Sequence, residues 1–460
     1  MRDRFGIDWS AMPGMHMLRR PYLTRRALFR HAASAVGGYM LLPSRPLETV
    51  AHAASEPKGT AKYCILINLV GGPSHIDTFD LKEGPWTPPA FDPTSFNDVR
   101  WPRGLFPKLA GQLESAVLLR SVLSWTGVHG LGQSWIQIGR NPVPAVNKYA
   151  PHIGSVVSLE FAAQTAGKPL PAFLSLNSNP GPENGYLASE HAPFYVNPNG
   201  NGLGNTTHSA GTAAFLRRYE LMQQLDAEER SLQTLGPGTP EMVNWNLSAR
   251  RLMYNSDVDA AFRFSTEDRN RYGNSGFGNA CITARNLLKA DLGPRFIQIS
   301  LGGWDNHNNI YTGPFNAANA ASLARQFDAG LALLLEDLKS NGLFDQTLVI
   351  ALGEFGRTTG ALTSTNGRDH HLQQAALIAG AGIRGGRAIG STDAQGRATA
   401  EPGWSLARDI RSEDIEATIY SAMGIDWTKI RYDYPAGRGF EYVPRVNNQE
   451  FYAPIHDLWS

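Results

Sequence analysis

The chain has 460 residues, of which 42% are hydrophobic and 18% charged, with a formal net charge of +1. That length supports one large core rather than three small ones, and near-neutrality argues against a nucleic-acid partner, since such binders carry a basic excess. Glycine (47) and proline (29) are raised enough to predict many loops, while two cysteines exclude a disulfide framework.

Residues 1–53 hold eight arginines against only Asp3, Asp8 and Glu48, so the rest of the chain is slightly acidic. Within them, Thr24-Arg-Arg-Ala-Leu-Phe-Arg30 is a twin-arginine pattern. A short apolar stretch follows, His31 to Leu42, and then a small-x-small cleavage site at Ala51-His-Ala53. The reading is an export signal over 1–53, handled by the twin-arginine translocase and leaving a periplasmic or extracellular protein. The apolar run is too short to span a bilayer, so no membrane span is expected in the mature chain.

Residues 54–460 are expected to form a single α/β domain. Lys62-Tyr-Cys-Ile-Leu-Ile-Asn-Leu-Val70 is an apolar run ended by Gly-Gly-Pro, as for a strand buried on both faces. Ala116–Leu119, Ala172–Leu174, Phe296–Ile299, Leu348–Ala351 and Ala375–Ile378 read the same way. Between them, Leu323, Phe327, Leu331, Leu334 and Leu338 fall at helical spacing, with Gly342 at the end. Ser412 is expected to cap a helix that reaches Gly424. Alternating strands and helices predict a largely parallel central sheet sandwiched between helices. Residues 177–276 break the rhythm, loop-rich first and helical later, and read as an insertion capping the catalytic face.

Histidines and carboxylates gather just after these strands, where open α/β sheets bind ligands. Asp305 and His307 are two apart, so in extended backbone they share a face and can grip one ion, while Trp304 points into packing. Glu354 follows a strand and is expected as a ligand, with Arg357 as an anion contact. In Asp369-His370-His371, His370 is the preferred ligand and its neighbours are supports. His75 and Asp77 are further candidate ligands, with Ser74 a possible nucleophile, and His129 is a candidate general base or a ligand of a second metal. Gly380-Ala-Gly-Ile-Arg-Gly385 matches a dinucleotide loop but opens no helix, so no nucleotide cofactor is expected.

Together, Gly71 to Asp80, Gly302 to His307, Glu354 to Thr358, Gly367 to His370 and the Gly-rich stretch from Gly380 to Gly390 resemble a family of twin-arginine-exported proteins known as domain of unknown function 1501. That family is grouped with the alkaline phosphatase and sulfatase superfamily. The resemblance implies that fold, one or two divalent metals, and Asp305, His307, Glu354 and His370 as later metal ligands. It departs from the superfamily where a metal-binding Asp normally ends the first strand, since Gly71 and Gly72 stand there, and where a Ser, Thr or Cys nucleophile normally heads a helix, since Gly127 to Gly139 offers only His129 and Ser134. The expectation is hydrolysis of a small-molecule or glycan phosphate or sulfate ester with Zn²⁺ or Mn²⁺. The alternative is a non-catalytic periplasmic binding protein on a degenerate sulfatase-like scaffold.

Overall fold

The computed structural model describes residues 56–178, 181–231, 239–311, 319–435, 437, 439–447 and 449–460. The export signal expected over 1–53 lies outside the described residues. Eight strands form one sheet: β1 (Tyr63–Asn68), β2 (Ala116–Leu123), β3 (Phe173–Leu176), β4 (Phe194–Val196), β5 (Phe296–Ser300), β6 (Thr347–Leu352), β7 (Gln373–Gly380) and β8 (Arg387–Ile389). Their order is β8-β2-β7-β6-β1-β5-β3-β4. All neighbouring pairs are parallel except those made by β7, which runs antiparallel to β6 and β2. The expected α/β fold with a mostly parallel sheet flanked by helices is therefore what the chain adopts.

Why the strands lack polar alternation is visible in β1. Tyr63, Ile65 and Ile67 enter one core, while Cys64 and Leu66 enter the other, so both faces are covered. Helices α3 (Gly276–Ala290) and α4 (Ala320–Ser340) pack on the first face through Phe277, Leu287, Phe327 and Leu334. Helices α2 (Ile153–Glu160) and α5 (Ser412–Ala422) pack on the second through Val156, Val157, Ile415 and Ile419. Each such fully buried side chain contributes roughly 1.5–3 kcal/mol. Asn319 caps α4 by accepting from Ser322 N at 2.9 Å. Ser412, expected as a cap, is instead the first residue of α5; the Asp414 carboxylate closes the turn by accepting from Arg411 N at 2.8 Å.

Cys64 and Cys281 are both buried and unpaired. The glycine run at Gly380 leads into strand β8 rather than a helix. Residues 177–276 supply the edge strand β4 and four helices, Gly211–Ser231, Thr239–Leu252, Ser256–Phe262 and Thr266–Arg271. Among the described residues, no helix is long and apolar enough to cross a membrane.

Candidate metal centre

The carboxyl ends of β1, β5 and β6 bring three loops together. The loop after β1 turns at Gly71, whose φ is +111°. A Cβ there would lie 2.5 Å from Asp305 N and 2.8 Å from Trp304 N, so only glycine lets the loop after β5 approach. Trp304 N donates to Val70 O (3.1 Å), and the Trp304 ring is buried, leaving Asp305 facing outward with its side chain 45% exposed. Because β7 runs antiparallel, the segment before it, not after it, reaches this same end, bringing Asp369 and His370. Gly367 makes that approach possible: a Cβ there would lie 1.9 Å from His307 O. A fourth element, helix α1 (His129–Ile138), starts with His129.

One ligating atom each from His129, Asp305, His307 and His370 lies within 4.8 Å of the other three. Asp305 Oδ1 is 3.2 Å from His129 Nε2, 2.9 Å from His307 Nε2 and 3.5 Å from His370 Nε2. The three rings are oriented from behind: Nδ1 lies 2.7 Å from Glu354 Oε1 in His129, 2.9 Å from Asp369 Oδ1 in His307 and 2.7 Å from Gly127 O in His370. Carbonyl and carboxylate oxygens accept, so each Nδ1 carries the proton and each Nε2 keeps its lone pair.

Those lone pairs face one another, with His307 Nε2 and His370 Nε2 only 3.1 Å apart. His129 Nε2 is buried without a hydrogen-bond partner, because an unprotonated ring nitrogen and the Asp305 Oδ1 beside it can both only accept. The edges of a tetrahedron around Zn²⁺ are about 3.3 Å for metal–nitrogen bonds near 2.0–2.1 Å, close to the spacings seen here. Three neutral imidazoles and a carboxylate suit a divalent transition metal, with the orphaned His129 Nε2 placed to be a fourth donor or a base beside it. Burial opposes ionisation of Asp305, but the Arg357 hydrogen bond and charge outweigh it and lower the carboxyl to about 2.

Four of the expected site residues have other work. Glu354 is not among the grouped ligand atoms: its buried carboxylate accepts from Gly71 N (3.0 and 3.2 Å), from His129 Nδ1 and from Gln133 Nε2 (3.3 Å). Arg357, expected as an anion contact, is fully buried and has an acceptor for each of its five N–H groups: Gly72 O, Gly71 O, Arg368 O, His307 Nε2 and Asp305 Oδ1. It aims Asp305, and only the Nη1–H directed at His307 Nε2 (3.4 Å) would be released were that nitrogen to bind a metal. His75 Nε2 is 2.7 Å from Gly396 O, and Asp77 accepts from Arg368 Nε at 2.7 Å in a buried ion pair. The structure thus brings His129, Asp305, His307 and His370 together and gives His75 and Asp77 different partners. Ser74 is buried, outside this group.

Sequence reasoning missed Asp369 as the partner of His307 rather than of its neighbour His370. It also missed Arg368, whose Nη1 holds Thr358 O and Gly360 O at 2.7 and 2.8 Å and so anchors the loop that carries His370. The adjacent Arg368-Asp369-His370 run was the available signal.

None of the curated proteins matches the chain. Among solved structures, it is similar to the lipoteichoic acid synthase LtaP from Listeria monocytogenes (10% identity, 89% of this chain and 81% of that one, TM-score 0.39). It is also similar to a protein in the alkaline phosphatase superfamily from Vibrio parahaemolyticus (12%, 80% and 69%, TM-score 0.36). A third is the phosphonate monoester hydrolase SpPMH from Silicibacter pomeroyi (11%, 87% and 76%, TM-score 0.39). Residues 61–448 match the family described as Protein of unknown function (DUF1501), and the chain belongs to that family.

Proposed function

We propose that the chain is an exported metal-dependent hydrolase of phosphate or sulfate esters. In this reading Asp305, His307 and His370 hold one divalent metal, Zn²⁺ or Mn²⁺, and His129 is the general base. The observation that carries it is the convergence of three Nε2 lone pairs on Asp305 Oδ1, each ring locked through Nδ1. A metal held there would polarise the ester oxygen and ease deprotonation of water. His129 takes the proton at Nε2. The buried Glu354 carboxylate, hydrogen-bonded to Nδ1, fixes the ring and stabilises the imidazolium that forms. Arg357 keeps the Asp305 carboxylate aimed at the three imidazoles. Asp305 and His307 are open to solvent, so a small-molecule or glycan ester can reach the cluster.

A non-catalytic binding protein is supported by two observations. Four protein donors can close a tetrahedral shell, as in structural sites, and four of the five Arg357 N–H groups are already held by oxygen acceptors. The deciding experiment measures metal content by plasma mass spectrometry and turnover of 4-nitrophenyl phosphate and sulfate. It compares the wild type, Asp305→Ala/His307→Ala and His129→Ala. The hydrolase reading expects about one metal per chain in the wild type, none in the double variant, and retained metal without turnover in His129→Ala. A wild type that holds metal but turns over neither ester moves the assignment to the binding protein. No metal after added Zn²⁺ or Mn²⁺ ends the hydrolase mechanism.

A further inference from the structure

We propose a second ligand site at the opposite end of the sheet from the metal cluster, a cleft of about 650 Å³ that takes an amphipathic organic anion with an aromatic body and a carboxylate. Its walls are the segment leading into β3 (Lys168 to Ala172), the segment leading into β4 (Ala188 to Phe194) and the helix Thr239–Leu252. It therefore sits at the amino ends of β3 and β4, which run parallel to β1, β5 and β6, whose carboxyl ends carry the cluster, and no cluster residue lines it. The volume is in the range of small-molecule sites, and their usual make-up is an apolar wall with a few convergent polar groups.

Both parts are present. Pro169, Pro171, Phe194 and the half-exposed Trp245 supply flat apolar surface on which a ring can lie. Ser158 and His191, both buried, face the cleft as a hydrogen-bonded pair, with Ser158 Oγ 3.1 Å from His191 Nδ1. A serine hydroxyl donating to Nδ1 leaves the ring proton on Nε2. That nitrogen lies 3.6 Å from Glu190 Oε1, beyond a hydrogen bond, so its N–H is available to a ligand. Burial lowers the His191 pKa, which keeps the ring neutral near pH 7.

The charges decide the ligand's sign. Lys168 is tied to Asp291, with Nζ 2.9 Å from its backbone oxygen and 3.1 Å from its carboxylate. Arg251 has no such partner for its guanidinium among the described residues, and it lines the cleft beside Trp245. Among the described residues Glu190 is the lone lining carboxylate, and its side chain is mostly exposed. A free guanidinium and a neutral imidazole N–H are two donors suited to one carboxylate.

Calorimetric titration with naphthalene-2-carboxylate, and with neutral 2-naphthamide for comparison, tests the assignment. One saturable site is expected. Affinity should fall about tenfold for the amide and in Arg251→Gln, through loss of a charge-assisted hydrogen bond, and by a similar factor in Trp245→Ala. Both side chains are at the surface, so an unchanged melting temperature verifies the fold. His307→Ala should bind as the wild type does. Absence of saturable binding at millimolar ligand, or binding untouched by Arg251→Gln and Trp245→Ala, overturns the proposal. So does loss in His307→Ala, which would put the carboxylate on the metal cluster.

Discussion

The loop after β1 carries His75 and Asp77, and the loop after β5 carries Asp305 and His307. In each, an imidazole and a carboxylate stand two residues apart beyond a strand buried on both faces. Asp77 meets Arg368 inside the protein, 1% and 0% exposed, with two hydrogen bonds of 2.7 and 3.3 Å. His75 is buried as well: desolvation lowers its pKa to about 4, and it stays neutral against Gly396 O. Asp305 instead remains partly open, ringed by three imidazoles whose lone pairs meet. Equal spacing thus sets which side chains share a face, while the partner decides what the pair does. Each carboxylate meets a buried arginine, Arg368 or Arg357, which makes a strut of Asp77; only at Asp305 do imidazole lone pairs converge as well and leave room for a cation to be added.

The strut is the place to look for the largest effect. Arg368→Ala strands the Asp77 carboxylate in the interior, and breaking a buried pair from one side costs about 3–5 kcal/mol. Urea unfolding should show a lower midpoint at unchanged slope. Asp77→Leu/Arg368→Met should recover much of the loss, because the uncompensated charge is gone. A cost below about 1 kcal/mol for Arg368→Ala would mean that the ion pair is not what anchors this loop.

The six long apolar runs were legible as strands because a sheet covered on both faces demands unbroken hydrophobicity, and all six are in the sheet. β4 was not: its three half-buried residues, Phe194–Val196, form an edge with no pattern to read. Of the site, the Asp305/His307 pair and His370 were readable from position. The work of Arg357 was not, because its acceptors include the carbonyls of Gly71 and Gly72, 286 and 285 residues away in sequence. A guanidinium with five local acceptors and one with none look identical in a sequence. Glu354 failed similarly: a carboxylate at a strand end reads as a ligand until Gly71 N and His129 Nδ1 are seen to occupy it.

The cluster should respond to what the strut ignores. At a free Zn²⁺ concentration 100 times the dissociation constant, the wild type should gain about 2.7 kcal/mol in stability by mass action. Asp305→Ala/His307→Ala should gain nothing from the metal, although its metal-free stability is lower because the buried Arg357 guanidinium loses its carboxylate. An equal metal-induced rise in melting temperature in both proteins would place the metal elsewhere.

Glu416 on α5 adds a third case, a buried carboxyl with no ion pair among the described residues. Burial pushes its pKa up to about 8, against the pull of Arg140 and the Tyr420 hydroxyl, which donates to it at 3.0 Å. The folded pKa lies above the unfolded value near 4.3–4.5, so between about pH 4.5 and 8 the native state holds a proton that the unfolded state has lost. Stability from this group therefore falls as pH rises across that window, by at most about 1.4 kcal/mol per pH unit. Glu416→Gln should remove that slope, seen as a flatter curve of unfolding free energy between pH 5 and 7.5. An unchanged slope would mean that the carboxyl is ionised in the fold.

The smallest effect separates the two roles open to His129. Asp369 holds Nδ1 of His307, a residue assigned as a ligand, but its side chain is 63% exposed. Asn keeps an acceptor oxygen there and removes the charge, so metal affinity should drop about tenfold, the low end for such supporting groups. Glu354→Gln makes the same change behind His129. If His129 is the general base, metal affinity should stay within about twofold of the wild type while ester turnover falls at least about tenfold. If His129 is the fourth ligand, Glu354→Gln must weaken metal binding at least as much as Asp369→Asn does, since Glu354 is fully buried and its hydrogen bond is not shared with solvent. Competition with a chelating dye reads both affinities on the same scale, and the ratio of the two variants identifies whether His129 Nε2 is a base or a ligand.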